Sequence, residues 1–86
     1  MKKPTLLEKA TTIRRTRLSD EVLRQIIEMI QSGELVHGTE LPSEKELMEA
    51  FGVGRPAVRE AIRTLEHLGF VESQHGERAR ITAPTM

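Results

Sequence analysis

Two arginines four residues apart, Arg55 and Arg59, are the side chains in this 86-residue sequence best suited to recognising a ligand. In a helix they would lie one turn apart on one face, with Arg63 a further turn along. An arginine donates two hydrogen bonds to O6 and N7 of guanine in the major groove, a contact worth about 1–3 kcal/mol of base discrimination. The alternative is a solvated face on which Arg59 or Arg63 pairs with a nearby glutamate. Base reading therefore requires guanidinium groups that point outward and are not locked into internal ion pairs.

The stretch before these arginines carries the sequence signals of a helix-turn-helix. Ser43 and Glu46 form a capping box at the start of a short helix, and Gly52 suits the left-handed position that ends it. After the turn 52–54, Pro56 lies in the first turn of a second helix, where proline is tolerated. Apolar residues at helical spacing predict a buried face on both helices, made of Leu47, Met48, Phe51, Val58, Ala61, Ile62, Leu65 and Leu68. A capped helix, a glycine turn and a helix that opens with arginine is the pattern of a DNA-binding helix-turn-helix.

The flanking segments predict the rest of the fold. Ser19 is the expected N-cap of a first helix that ends at Gly33. Its apolar stripe consists of Val22, Leu23, Ile26, Ile27 and Ile30. Residues 39–41 have room for a very short extended piece, and residues 70–74 and 78–82 are predicted to form two strands joined by a turn. The sequence therefore predicts an α+β, mostly α fold, a winged helix-turn-helix with three helices and a two-stranded β-hairpin wing.

Five further positions suit contact with a duplex. Lys45, in the first turn of the helix that crosses the DNA backbone in such motifs, is placed to meet a phosphate, although an ordinary solvated lysine has the same sequence pattern. Pro56 and Ala57 are small neighbours that let the helix end approach base edges or a thymine methyl group. At the hairpin tip, His75 and Gly76 are expected to skirt a minor groove, because glycine allows close backbone approach.

The charge distribution is uneven although the formal net charge is zero. Residues 1–17 carry +5, residues 18–53 carry −6 and residues 54–86 carry +1. A polyanion responds to this clustering rather than to the total. The sequence contains no cysteine, which excludes disulfides, and no apolar run approaches the ~20 residues of a membrane span. We therefore expect a cytoplasmic protein without a membrane partner.

No pattern in the chain supports catalysis. His37, His67 and His75 lack metal-ligand spacing, and the sequence shows no glycine-rich phosphate loop and no recognisable nucleophile or carboxylate constellation. We expect no enzyme activity, no metal and no cofactor. The two aromatic residues, Phe51 and Phe70, are expected in the core, which leaves no stacking platform for single-stranded nucleic acid. Double-stranded DNA is the favoured ligand.

Together these motifs resemble the GntR family of bacterial transcription regulators, and within it the subfamily of the fatty-acid-metabolism regulator. The matching segments are Gly33-Glu34-Leu35, Gly38, residues 41–47, residues 53–62, Leu65, Gly69 and the wing 74–76. The wing sequence at 76–81 is similar to that of the family's sialic-acid-catabolism branch. In the family pattern, the positions that approach DNA correspond to Lys45, Gly54, Arg55, Pro56, Ala57 and Arg59 in the major groove and to His75 and Gly76 in the wing. Many relatives carry serine or threonine at position 54, so the expected phosphate contact here is the backbone N–H of Gly54.

The resemblance implies a regulator, expected to be a metabolite-responsive repressor, that binds a pseudo-palindromic double-stranded operator as a homodimer. It also implies a small-molecule effector bound by a larger C-terminal domain that this chain lacks. The expected organisation is a flexible basic N-terminal arm at residues 1–17, the winged helix-turn-helix at 18–82 and an exit segment at 83–86 toward the missing domain. The alternative function is a winged-helix protein-interaction module whose acidic first half, rather than its arginines, meets a partner.

Overall fold

The computed structural model of the chain describes residues 3–73 and 78–83, with side chains from residue 17 onward. In order along the chain, the elements are α1 (Lys3–Ser32), α2 (Glu44–Phe51), α3 (Arg55–Leu68), β1 (Val71–Glu72) and β2 (Arg80–Ile81). The two strands form an antiparallel sheet. Three helices and this small sheet confirm the predicted winged helix-turn-helix.

The boundaries of α2 and α3 follow the caps expected from the sequence. The Ser43 hydroxyl accepts a hydrogen bond from the Glu46 N–H at 3.1 Å, and a Glu46 carboxylate oxygen accepts one from the Ser43 N–H at 2.8 Å. This reciprocal pair is the predicted capping box. Gly52 ends α2 in the left-handed conformation at φ 66°, and Gly54 is the N-cap of α3, with Pro56 in the first turn. Local sequence therefore fixes the turn that aims α3.

The core lies mainly between α1 and α3, and α2 and the sheet also pack against it. Its large, fully buried side chains come from α1, from the connector before α2, from α3 and from β2: Val22, Ile26, Ile30, Leu41, Val58, Leu65 and Ile81. Burial of an isoleucine or leucine side chain of this kind contributes about 1.5–3 kcal/mol. The core therefore holds α3 by its apolar face and leaves its opposite face in solvent.

The sheet is extended on one side by the segment that connects α1 to α2. Val71 pairs with Ile81 in the hairpin, and Glu40 in the connector forms an isolated antiparallel bridge with Arg80 on the other edge of β2. The N–H of Leu41 donates to the Ala79 carbonyl at 2.8 Å. The short extended piece predicted at 39–41 is therefore confirmed, while both strands are shorter than predicted. The hairpin tip, including His75 and Gly76, lies outside the described residues.

The first helix begins much earlier than the sequence signals predicted. α1 runs continuously from Lys3 to Ser32, so the prediction that Ser19 caps its N-terminus is wrong, and the segment expected to be an irregular arm is helical from Lys3. Ser19 is buried within the helix. A serine followed by an acid starts a helix only when the preceding residues do not favour one, and here the preceding residues include the strong helix formers Leu6, Leu7, Glu8, Lys9 and Ala10.

Several side chains expected in the core are less buried than predicted, among them Leu68, Phe51 and Phe70. Leu68 is 56% exposed, because it is the last residue of α3 and Gly69 then reverses the chain. Phe51 and Phe70 are half-buried at the edge of the core. The helical stripe of α3 therefore ends at Leu65.

Candidate nucleic-acid interface

α3 has a buried face and a polar face, and the polar face holds the predicted recognition residues. Arg55, Pro56 and Arg59 are all exposed. They line one shallow surface depression together with Glu60 and Arg63. The apolar residues of the same helix pack against α1 and the sheet. The fold thus brings three arginines together on one outward face of α3, beginning at its first residue.

A single carboxylate, that of Glu44, lies against both predicted base-reading arginines. Nε of Arg59 donates to the two Glu44 oxygens at 3.1 and 3.3 Å, and Nε of Arg55 lies 3.7 Å from one of them. The side chains of Arg55 and Arg59 are nevertheless 53% and 58% exposed. Ion pairs this exposed contribute about 0–1 kcal/mol. The arginines are therefore paired, as the alternative reading of this face anticipated for Arg59, but they are not locked into the interior.

The first turns of α2 and α3 carry groups that suit a phosphate. α3 starts without a side-chain cap at Gly54, so the free N–H groups of its first turn and the positive end of its dipole remain available. Gly54 itself is exposed, as is Lys45 in the first turn of α2. Within the described part of the chain, Lys45 makes no ion pair. Both positions are therefore accessible to a duplex that α3 approaches.

Among the predicted contact residues that the structure describes, Ala57 is the one that the fold places inside. Its side chain is 3% exposed and belongs to the buried face of α3. The expectation that Ala57 lies at the exposed end of the helix, close to base edges or a thymine methyl group, is therefore not met by its side chain. The helical period explains the error, because position 57 lies beside Val58 and Ala61 on the core side rather than beside Arg55 and Arg59.

The base of the wing is anchored to the C-terminal end of α3. The Ser73 hydroxyl donates to a Glu66 carboxylate oxygen, and the Thr82 hydroxyl donates to the Gly69 carbonyl at 3.2 Å. On the far side of the sheet, Arg80 donates to the Gly38 carbonyl at 2.9 Å. These contacts fix where the hairpin leaves the helices. His75 and Gly76 lie in the undescribed tip, so their DNA contacts stay predictions.

The capping box of α2 also lowers the pKa of one of its own members, Glu46. Hydrogen bonds from the Ser43 backbone and then from its hydroxyl lower the pKa of Glu46 below its ordinary value of 4.5, with a smaller lowering from the Arg78 charge. Glu46 is therefore ionised at neutral pH, and the α2 N-terminus keeps its reciprocal cap under physiological conditions.

Glu44, which contacts the arginines of this face, was not singled out by the sequence. It lies 15 positions before Arg59, and its contact depends on how α2 and α3 cross rather than on any local pattern. The sequence offers one signal, an acidic side chain directly after the N-cap Ser43, but this is explained equally well by the helix dipole.

No group of three or more histidine or acidic side chains within residues 3–73 and 78–83 is arranged to hold a metal ion. Among the same residues, no helix combines the length and apolar character needed to cross a membrane.

Comparison of sequences finds that this chain is similar to proteins named as transcriptional repressors. The chain is 49% identical over 71 residues to the HTH-type transcriptional repressor NanR of Enterobacter sp. (strain 638), a match that covers 83% of this chain and 27% of that protein. It is 48% identical, with the same coverage, to NanR of Klebsiella aerogenes. The chain thus spans about a quarter of the length of these relatives, and the match agrees with the branch indicated by the wing sequence.

Solved structures of similar domains include one bound to DNA. The DNA-binding domain of AraR in complex with operator ORE1 superposes with a TM-score of 0.72 at 31% identity, over 76% of this chain and 79% of that one. YtrA from Sulfolobus acidocaldarius, a GntR-family transcription factor, gives a TM-score of 0.68 at 34% identity, over 78% of this chain and 57% of that one. The family model of the bacterial regulatory proteins called the gntR family matches residues 18–81. With its capped α2, its glycine turn and the arginines at the start of α3, this chain belongs to the gntR family of bacterial regulatory proteins.

Proposed function

We propose that this chain is the DNA-binding part of a bacterial transcription repressor and that α3 reads a specific double-stranded operator in the major groove. The observation that carries the proposal is the exposed arginine pair, Arg55 and Arg59, at the start of a helix whose other face is fixed in the core. The AraR domain crystallised with operator DNA has the same fold, which supports a DNA ligand for this face.

The spacing of the two arginines suits neighbouring bases. Positions four apart in a helix are displaced by about 6 Å along its axis. Successive bases along a strand are about 3.4 Å apart, so an α3 that lies in the groove brings Arg55 and Arg59 to bases about two steps apart. Each guanidinium can donate two hydrogen bonds to a guanine. The pair therefore reads a short guanine-containing element of the operator.

Groups around the arginines are expected to hold the phosphate backbone. The Gly54 N–H and the first turn of α3 suit one phosphate, and Lys45 suits another on the strand that α2 crosses. Pro56 is exposed between the arginines and has no N–H of its own to satisfy. In this arrangement His75 and Gly76 extend the contact into the adjacent minor groove. Phosphate contacts position α3, and the arginines supply the sequence discrimination.

The full-length protein is proposed to be a cytoplasmic homodimer with a C-terminal effector domain. The relatives named NanR are about four times as long as the segment matched here and are named transcriptional repressors. A second copy of α3, related by two-fold symmetry, would meet the other half of a pseudo-palindromic operator. A small molecule bound by the remaining domain would then control the spacing or affinity of the two copies.

Selection of bound duplexes from a random pool tests this function directly. The chain is expected to enrich a guanine-containing motif and to shift that duplex at concentrations that leave scrambled DNA free. A chain with both Arg55 and Arg59 replaced by alanine should enrich no motif while keeping its thermal unfolding transition. If the unchanged chain binds no duplex even at low salt, the DNA-binding proposal fails and the protein-interaction module becomes the better account.

A further inference from the structure

The carboxylate of Glu44 is placed differently from an ordinary surface counter-ion. It contacts two arginines at once, both of which lie on the next helix and at the start of the proposed recognition face. Its own side chain is 38% exposed, and it is the first residue of α2, where the Ser43 cap fixes the backbone. One carboxylate at the α2 start thus accepts hydrogen bonds from the Arg59 guanidinium and lies within ion-pair distance of the Arg55 guanidinium.

The atoms in contact show which edge of each arginine is left free. Nε of Arg59 donates to Glu44, and Nε of Arg55 is the atom nearest to it. Nε lies on the inner side of the guanidinium, whereas the two terminal amino groups point away from the backbone. Within the described residues, these terminal groups of Arg59 make no hydrogen bond. Glu44 therefore occupies the edge that guanine does not need and leaves the outer edge open.

We propose that Glu44 is a positioning residue that sets the specificity of this DNA-binding face. It holds Arg55 and Arg59 by their inner edges in an orientation suited to bidentate donation to guanine. The inference rests on the proposed DNA-binding function and adds to it a residue that acts through the arginines.

The same carboxylate acts against binding without sequence recognition. A guanidinium that turns toward a phosphate must leave Glu44, and it brings the phosphate close to a negative charge. A guanidinium that meets guanine end-on keeps its contact with Glu44. Glu44 thus favours base contact over phosphate contact. It widens the difference between the affinities for operator and for other DNA, and it does not raise the affinity for DNA as a whole.

Replacement of Glu44 by alanine tests this role. The selected operator duplex and a scrambled duplex of the same length are titrated with the unchanged chain, with Glu44→Ala and with Glu49→Ala, at several salt concentrations. Glu49 is the matched control, because it lies on the same helix, is exposed and makes no ion pair among the described residues. Thermal unfolding of each variant reports any loss of fold.

For Glu44→Ala we expect scrambled DNA to bind more tightly and the ratio of operator to scrambled affinity to fall about tenfold, within the range that one bidentate contact supplies. Glu49→Ala should leave this ratio unchanged. Glu44→Gln, which keeps an oxygen acceptor but no charge, should lower the ratio of operator to scrambled affinity less than Glu44→Ala does. In an Arg59→Ala background, Glu44→Ala should have a smaller effect, because one of the two positioned groups is gone.

Several outcomes would overturn the inference. If Glu44→Ala binds both duplexes more tightly by the same factor, Glu44 is a simple counter-ion. If it binds both more weakly by the same factor and unfolds at a lower temperature, Glu44 has a structural role. The positioning role of Glu44 would also be refuted if Glu44→Ala left the ratio of operator to scrambled affinity unchanged, or if Glu49→Ala lowered that ratio by the same factor. Each of these results leaves the DNA-binding proposal standing, whereas failure of the unchanged chain to select any duplex would refute that proposal itself.

Discussion

Serine in place of glycine at position 54 should stabilise the chain, whereas the same change two residues earlier should destabilise it. Gly54 is the N-cap of α3 at φ −83° and ψ 170°, a conformation open to any residue, and it has no side-chain cap. A Cβ added there would meet only the Pro56 ring at 3.5 Å, an ordinary contact. A serine N-cap improves on glycine by a few tenths of a kcal/mol. Removal of a glycine from the unfolded chain contributes about 0.4–1 kcal/mol more.

The two contributions for Gly54→Ser add to about 1 kcal/mol, which corresponds to a rise of about 4–8 °C in the unfolding temperature of a domain of this size. Gly52 is the matched control, because it lies in the same turn but at φ 66° with open space around its Cβ position. A left-handed conformation costs a residue with a side chain about 1–2 kcal/mol, which exceeds the gain from the unfolded chain. Gly52→Ser should therefore lower the unfolding temperature by a few degrees.

Thermal unfolding followed by far-UV circular dichroism at neutral pH measures both variants against the unchanged chain. The expected result is a shift of opposite sign for the two serines. If Gly54→Ser lowers the transition as much as Gly52→Ser does, the assigned conformations of this turn are wrong. If neither variant shifts, the turn does not set the start of α3 in the folded protein.

Three further predictions concern the core, the α2 cap and the basic N-terminal segment. Ile26 is fully buried between the helices, so Ile26→Ala should cost about 2–5 kcal/mol in urea denaturation, and a loss below ~1 kcal/mol would contradict this packing. Because the folded pKa of Glu46 is lowered, its stabilising effect is complete above its ordinary value of 4.5 and is lost as pH falls through the folded pKa. The stability difference between the unchanged chain and Glu46→Gln should therefore shrink between pH 7 and pH 3, and a constant difference would rule out the charged cap. Glutamine at the six basic positions of residues 1–17 should flatten the dependence of operator affinity on salt, whereas an unchanged slope would show that this segment meets no phosphate.

The sequence predicted those parts of the fold that depend on local chemistry. The capping box at Ser43, the glycine that ends α2 and the apolar stripe of α1 from Val22 to Ile30 are all recovered, because each is determined by neighbours within about one turn. The winged helix-turn-helix followed from their order. The family and its fold are confirmed on the same residues.

The errors arose where a local signal competed with its surroundings. Ser19 has the sequence of an N-cap, but the helix formers before it let α1 continue, and the serine is buried instead. Ala57 was grouped with Pro56 as a small residue close to the DNA, although the helical period turns its side chain inward. The Glu44 contact joins two helices and has no local pattern at all, so only the crossing of α2 and α3 reveals it. The contacts of His75 and Gly76 with DNA remain predictions.

Base reading by α3 is tested by the affinities of Arg59→Ala for the selected operator and for a scrambled duplex. Arg24→Ala is the control, because Arg24 is also an exposed arginine in ion pairs but lies on α1. Arg59→Ala is expected to weaken operator binding by about 5- to 150-fold, the range of one bidentate guanine contact, with little change in its affinity for scrambled DNA. Arg24→Ala should leave the ratio of the two affinities unchanged. An equal loss on both duplexes for Arg59→Ala would show that this arginine meets only phosphate and would contradict base reading by α3.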